Sequence, residues 1–169
     1  SVGSSINAFA VENFVDEMAE AANMDPLEFR IQRLSHRPDL IRVLNELKEK
    51  ASWGRTMPSG MAQGLAIHEC FGSIVAQVAE VAIDNKGGVS VQRIVSVVDC
   101  GHLINPLTAT MQIESGIVYG LTAALYGKLT IEAGRVLESN FNNYRMLTMD
   151  ETPVMETHWS LSGGDKWGG

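Results

Sequence analysis

Two runs rich in β-branched residues, Val75 to Ile83 and Val89 to Val98, flank the five residues Asp84-Asn85-Lys86-Gly87-Gly88. Those five tolerate positive φ and so suit a tight reversal, which predicts an antiparallel β-hairpin. A lone hairpin is marginal in water, so the rest of the chain must extend it and cover one face. Leu65 to Cys70 reads as a preceding strand, and Gly60, Gly64 and Gly72 mark bends or close backbone approaches around it.

The cover comes from upstream. From Asn7 to Ala22 the apolar positions Val11, Phe14, Val15, Met18 and Ala22 recur every three or four residues between acids, which predicts an amphipathic helix with that stripe buried. Asp25-Pro26-Leu27-Glu28 supplies a capping side chain, a proline fitted to the first helical position and a carboxylate three residues after the cap, opening a second helix to about Leu34. Pro38 starts a third in the same way. Its stripe is Leu40, Ile41, Leu44 and Leu47, and Trp53-Gly54 ends it. Downstream of the hairpin, Asn105-Pro106 opens a long helix from Leu107 to about Tyr126 that carries Gly116 and Gly120 four residues apart. Each glycine costs about 1 kcal/mol there relative to alanine, so two on one face suggest close packing against the backbone. Leu129-Thr130-Ile131 and Val136-Leu137 flank Ala133-Gly134 as a second hairpin, and Val154 to Leu161 alternates as a last strand. The expected class is α+β: N-terminal helices (1–53), then antiparallel β-hairpins with the long helix packed on the sheet (60–169).

Twenty acidic against thirteen basic residues give a net charge of −7, with no dense basic cluster to follow a phosphate backbone, which argues against nucleic acid as a partner. The longest uncharged stretch, Cys100 to Ile113, is too short for a membrane span and contains His102, Asn105 and Pro106. Two cysteines can make at most one bridge, which fits a reducing compartment or a core that needs no staple, and leaves the setting, cytoplasmic or periplasmic, open. Ser1-Val2-Gly3 at one end and Trp167-Gly168-Gly169 in a glycine-rich loop at the other suggest a piece of a longer polypeptide.

Several chemistry-bearing patterns fail on spacing. His68 with Cys70 and Cys100 with His102 lack the two-to-four-residue knuckles of structural zinc. His68-Glu69 is not the start of a zincin motif, because Gly72 stands where its second histidine belongs. Gly127-Lys128 would need a glycine at Thr122 and a hydroxyl residue at Leu129 to be a phosphate loop. No metal ligands are assigned on these grounds.

One region carries more. Asp99-Cys100-Gly101-His102-Leu103-Ile104-Asn105-Pro106, then Gln112-Ile113-Glu114-Ser115-Gly116 and Gly120-Leu121, resembles the D-x-G-x-x-x-N-P…Q-x-E-G-G…G-L run of the molybdenum hydroxylases, the family of xanthine dehydrogenase and aldehyde oxidase. The stretch from Asn7 to Arg30 is similar to their A-F-A-x-E-S-F-x-D-E…D-P-x-x-F-R helix pair. Gly64 to Ser73, with Val78-Ala79-Glu80-Val81, resembles the family's isoquinoline 1-oxidoreductase branch, in its β chain.

The resemblance implies part of a molybdopterin-binding large subunit (1–169) that hydroxylates an N-heterocycle or an aldehyde with oxygen from water. It also implies a molybdopterin cofactor in its cytosine dinucleotide form, and electron transfer to two [2Fe–2S] clusters on a small partner subunit. It places Gln112 and Gly116 at the cofactor. A primary amide both donates and accepts, matching a pterin edge better than a carboxylate, and a glycine one turn on permits close approach. The family's catalytic glutamate stands in a G-G-x-G-E-P loop expected after Gly169, and a pterin-side arginine is expected before Ser1. Ser115 replaces the first glycine of E-G-G. None of Glu69, Glu80 and Glu114 occupies the position of the base, so no catalytic residue is assigned, and the piece alone is expected to be inactive and to hold no cofactor. The rival reading is a stand-alone α+β module that binds a protein or small molecule through the helix bearing Gly116 and Gly120.

Overall fold

The computed structural model describes residues 3–168. Ser1, Val2 and Gly169, on which the expectations about neighbouring segments partly fall, lie outside the described residues. Helices α1 (Ser4–Ala21), α2 (Pro26–Arg33) and α3 (Pro38–Lys50) come first. Strands β1 (Met61–Cys70), β2 (Ser73–Ile83) and β3 (Val89–Asp99) follow, then helix α4 (Pro106–Leu125), the short strands β4 (Ile131–Glu132) and β5 (Arg135–Val136), and β6 (Val154–Trp159). The class is the α+β arrangement expected, with a mostly antiparallel sheet. The chain divides into two compact units, residues 1–104 with 154–169, and residues 105–153.

In the first unit the sheet order is β1-β2-β3-β6. The first three strands are antiparallel, and β6 adds to β3 in parallel register, Arg93 opposite Val154 through Val98 opposite Trp159. A parallel partner needs a long crossover, and the second unit is the insertion that provides it. The β2–β3 register shifts at Glu80/Val81, a bulge where Glu80 still pairs with Arg93.

Capping and pattern place the helices as the residues require. The Asp25 carboxylate accepts from the amides of Leu27 and Glu28 at 2.9 and 3.1 Å, with Pro26 at the first helical position. Helix α3 lays Leu40, Val43, Leu44 and Leu47 on Leu65 and Ile67 of β1, Ile74, Ala76 and Val78 of β2, and Val95 and Val97 of β3, forming one apolar cluster with Leu27.

Helix α1 departs from its apolar stripe. Its one fully buried residue is Ala19, while Phe9, Val11 and Phe14 are exposed and Met18 is partly so. Electrostatics override the hydrophobic periodicity here. Buried Arg30 of α2 donates to Glu12 at 3.1 Å and Asp16 at 2.7 Å, and Glu12 also accepts the backbone amide of Ile67 on the edge strand β1 at 2.8 Å. That contact engages one amide of the exposed strand edge and turns the acidic side of α1 inward.

The α3 cluster dominates the stability of this unit. Leu44→Ala is expected to lower the unfolding free energy by about 2–5 kcal/mol. Met149→Ala, at an exposed position, is expected to stay within about 0.5 kcal/mol. Urea titration of both variants checks this.

Candidate functional site

The residues of the D-x-G motif and those of the Gln112 region fall in different units. At the end of β3, Asp99 is fully buried, yet it is held ionised. One carboxylate oxygen accepts the amide of Gly101 at 2.8 Å and the amide and hydroxyl of Ser162 at 3.1 and 3.0 Å. The other faces Arg42 of α3 at 2.7 Å and the Lys166 ammonium at 3.6 Å. Burial pushes its pKa up, but these donors outweigh that and leave it below the usual aspartate range.

Gly101 has φ +80°, and an added Cβ would run into the carbonyl of Lys166. The 99–102 loop and the 160–168 segment therefore pass at backbone distance, which only glycine allows. Gly163 donates to the Gly101 carbonyl at 3.0 Å and Gly168 to the Cys100 carbonyl at 2.8 Å. The His102 ring lies 2.7 Å from the Gly164 carbonyl through Nε2 and stacks on Trp167 with centroids 4.6 Å apart. Periodicity gave no sign of this clamp. The signal available was Asp99 closing a strand rich in β-branched residues, with a glycine two residues on.

In the second unit the Asn105 side chain caps α4 by accepting the Thr108 amide at 3.1 Å. Gln112 and Gly116 stand one turn apart on an exposed face with Thr108, Tyr119 and Gly120. The Gln112 amide has no partner among the described residues. A Cβ built on Gly116 or Gly120 meets nothing within 4 Å. The unit is held elsewhere, by Glu151. Its carboxylate accepts from the Thr148 amide, the Tyr126 hydroxyl and Arg145, and these contacts bring it down to about 2.

Two of the glutamates weighed as bases, Glu69 and Glu80, are engaged. Glu69 pairs with Arg37 at 2.6 Å. Glu80 is buried on β2, which opposes its charge, but Arg55, Gln63 and Arg93 hold its carboxyl below the usual range. Among the described residues no group of three His, Cys, Asp or Glu is placed to hold a metal ion, and no helix is long and apolar enough to cross a membrane.

A family model described as the molybdopterin cofactor-binding domain matches residues 3–153. The beta subunit of isoquinoline 1-oxidoreductase from Brevundimonas diminuta is 34% identical over 164 residues, covering 92% of this chain and 21% of that protein. A nicotinate dehydrogenase subunit from Pseudomonas putida is 31% identical over 168 residues, covering 89% and 14%. Among solved structures, a Cu,Mo-containing CO dehydrogenase superposes with a TM-score of 0.52 at 25% identity, over 56% of this chain and 12% of that one. The chain thus spans about a fifth or less of each of these proteins.

Because the Asp99 carboxyl is depressed in the folded state, its contribution to stability is complete above the unfolded value of about 3.9 and is lost as acid protonates the folded form. The Ser162 amide resonance, followed by NMR from pH 7 downward, is expected to titrate with a midpoint below about 3.9. A midpoint above that value would contradict the reading.

Proposed function

We propose, because the chain belongs to the molybdopterin cofactor-binding domain family of the molybdenum hydroxylases, that α4 forms one wall of the pterin site. Gln112 and Gly116 are the contact residues. The observation that carries this is their shared exposed face, an amide with donor and acceptor both free beside a backbone with no side chain above it. Those are the features a planar, hydrogen-bonding heterocycle needs at close approach. The residues present therefore fit the group. When bound, the molybdenum cofactor supplies oxygen transfer from water and takes up two electrons from the substrate.

The chain's own part is to orient that group. Gln112 would hold the pterin edge through its amide donor and acceptor, and Gly116 would leave room for it beside the helix. The capped, proline-initiated start at Asn105-Pro106 holds the first turn in place. The substrate is an N-heterocycle or an aldehyde, a reading supported by relatives named for isoquinoline and nicotinate. The bound group would carry a cytosine dinucleotide, and [2Fe–2S] clusters of a small partner subunit would accept its electrons. The general base is a glutamate after Gly169, so the 169 residues alone are inactive. The remainder of the large subunit covers the apolar side chains that α1 and α4 leave exposed, among them Ile6, Phe9, Leu107 and Met111.

Gln112→Ala in the full-length subunit is expected to lower molybdenum content, measured by elemental analysis. Gln112→Glu, which only accepts, is expected to do the same. Wild-type metal content and turnover in both variants would remove Gln112 from the site.

A further inference from the structure

We propose that Asp99 is a positioning residue. Its carboxylate fixes the course of the 160–168 segment along the 99–102 loop and thereby sets where the residues after Gly168 are presented, the general base among them. The proposal rests on the reading above, which puts that base after Gly169.

The segment passes close to Gly72 and Ser73 at the β1–β2 turn and otherwise meets the 99–102 loop and Arg42. It leaves β6 at Trp159 and contains no further strand or helix among the described residues. Its contacts converge on a few residues of the first unit. Ser160 donates to the Val98 carbonyl at 2.8 Å, extending the strand pairing by one step. Ser162 is then taken by Asp99 through both its amide and its hydroxyl. Gly163, Gly164 and Gly168 are met by Gly101, His102 and Cys100 in turn. The segment is thus tied at both ends to one short loop.

Asp99 is the hub of that arrangement because its two oxygens do different work. One collects neutral donors from both strands of the crossing, Gly101 and Ser162. The other collects cations from two further places, Arg42 on α3 and Lys166 in the segment itself. Arg42 reaches the segment independently as well, donating to the carbonyl and hydroxyl oxygens of Ser160. One buried carboxylate therefore links the core helix, the end of the central strand and the outgoing chain. Gly101 makes the crossing tight, since any Cβ there would displace Lys166. An acid–base group is sensitive to this kind of control, because a misplacement of about 1 Å costs about 10²-fold in rate.

The test uses the full-length, molybdenum-loaded subunit with its iron–sulfur partner. Asp99→Asn keeps the size and one acceptor oxygen for Gly101 and Ser162 but removes the charge that faces Arg42 and Lys166. Gly101→Ala pushes Lys166 aside and leaves the charge in place. Either variant is expected to lower kcat about 10²-fold with KM changed less than about twofold and molybdenum content unchanged. Peptides spanning Ser160–Gly168 are expected to exchange amide hydrogens faster, while those covering Val95 and Val97 stay protected. If Asp99→Asn does not fold, Gly101→Ala carries the test. Wild-type kcat, unchanged exchange in the segment, or a fall in kcat matched by lost molybdenum would overturn the proposal. A wild-type protein that takes up no molybdenum would overturn the underlying reading and this proposal together, and elemental analysis separates that case from the others.

Discussion

A carboxylate removed from water is tolerable only when donors replace its hydration, and at Asp99 that requirement organises the first unit. Leaving such a charge unpaired costs several kcal/mol, so the groups that satisfy it cannot be scattered. Arg42 must sit on the turn of α3 that faces the end of β3. Gly101 must adopt a left-handed conformation to return its amide, and Ser162 must come back from β6 in parallel register. The apolar cluster under α3 supplies most of the stabilisation, but it is indifferent to how the chain leaves the sheet. The polar hub specifies that exit.

Much of the architecture was legible in the residues. The hairpin between β2 and β3, the proline-initiated helices at Pro26, Pro38 and Pro106, and the short pair around Ala133-Gly134 all follow from local rules that depend on a few neighbours. What was not legible depended on distant partners. The apolar stripe of α1 predicted burial of Val11 and Phe14, but the pairing of Glu12 and Asp16 with Arg30 turns another face inward. The parallel placement of β6 needed knowledge of the insertion between β3 and β6. Of the candidate site, Gln112 and Gly116 were marked by the motif resemblance, and the geometry adds that they share one open face of α4. The clamp at Asp99 was hidden, because a buried aspartate looks the same in sequence as a solvated one.

The two exposed apolar faces, on α1 and α4, carry the same physical message. Side chains such as Phe9, Phe14, Leu107 and Met111 stand in water here at a cost of about 25 cal/mol for each Å² of apolar surface that could be covered. The molybdenum hydroxylase relatives extend well beyond the stretch this chain matches, which is 21% of one and 14% of another. The proposed division of labour assigns those faces to further polypeptide, leaving Gln112 and Gly116 for the cofactor.

Diffraction from crystals of the full-length subunit with its cofactor, with the metal located by anomalous scattering at the molybdenum edge, decides whether Gln112 and Gly116 line the pterin site. Pterin density is expected within about 3 Å of the Gln112 amide, with the heterocycle passing over Gly116. Cofactor density beyond hydrogen-bond reach of α4, or a protein side chain seated on that face, would contradict it.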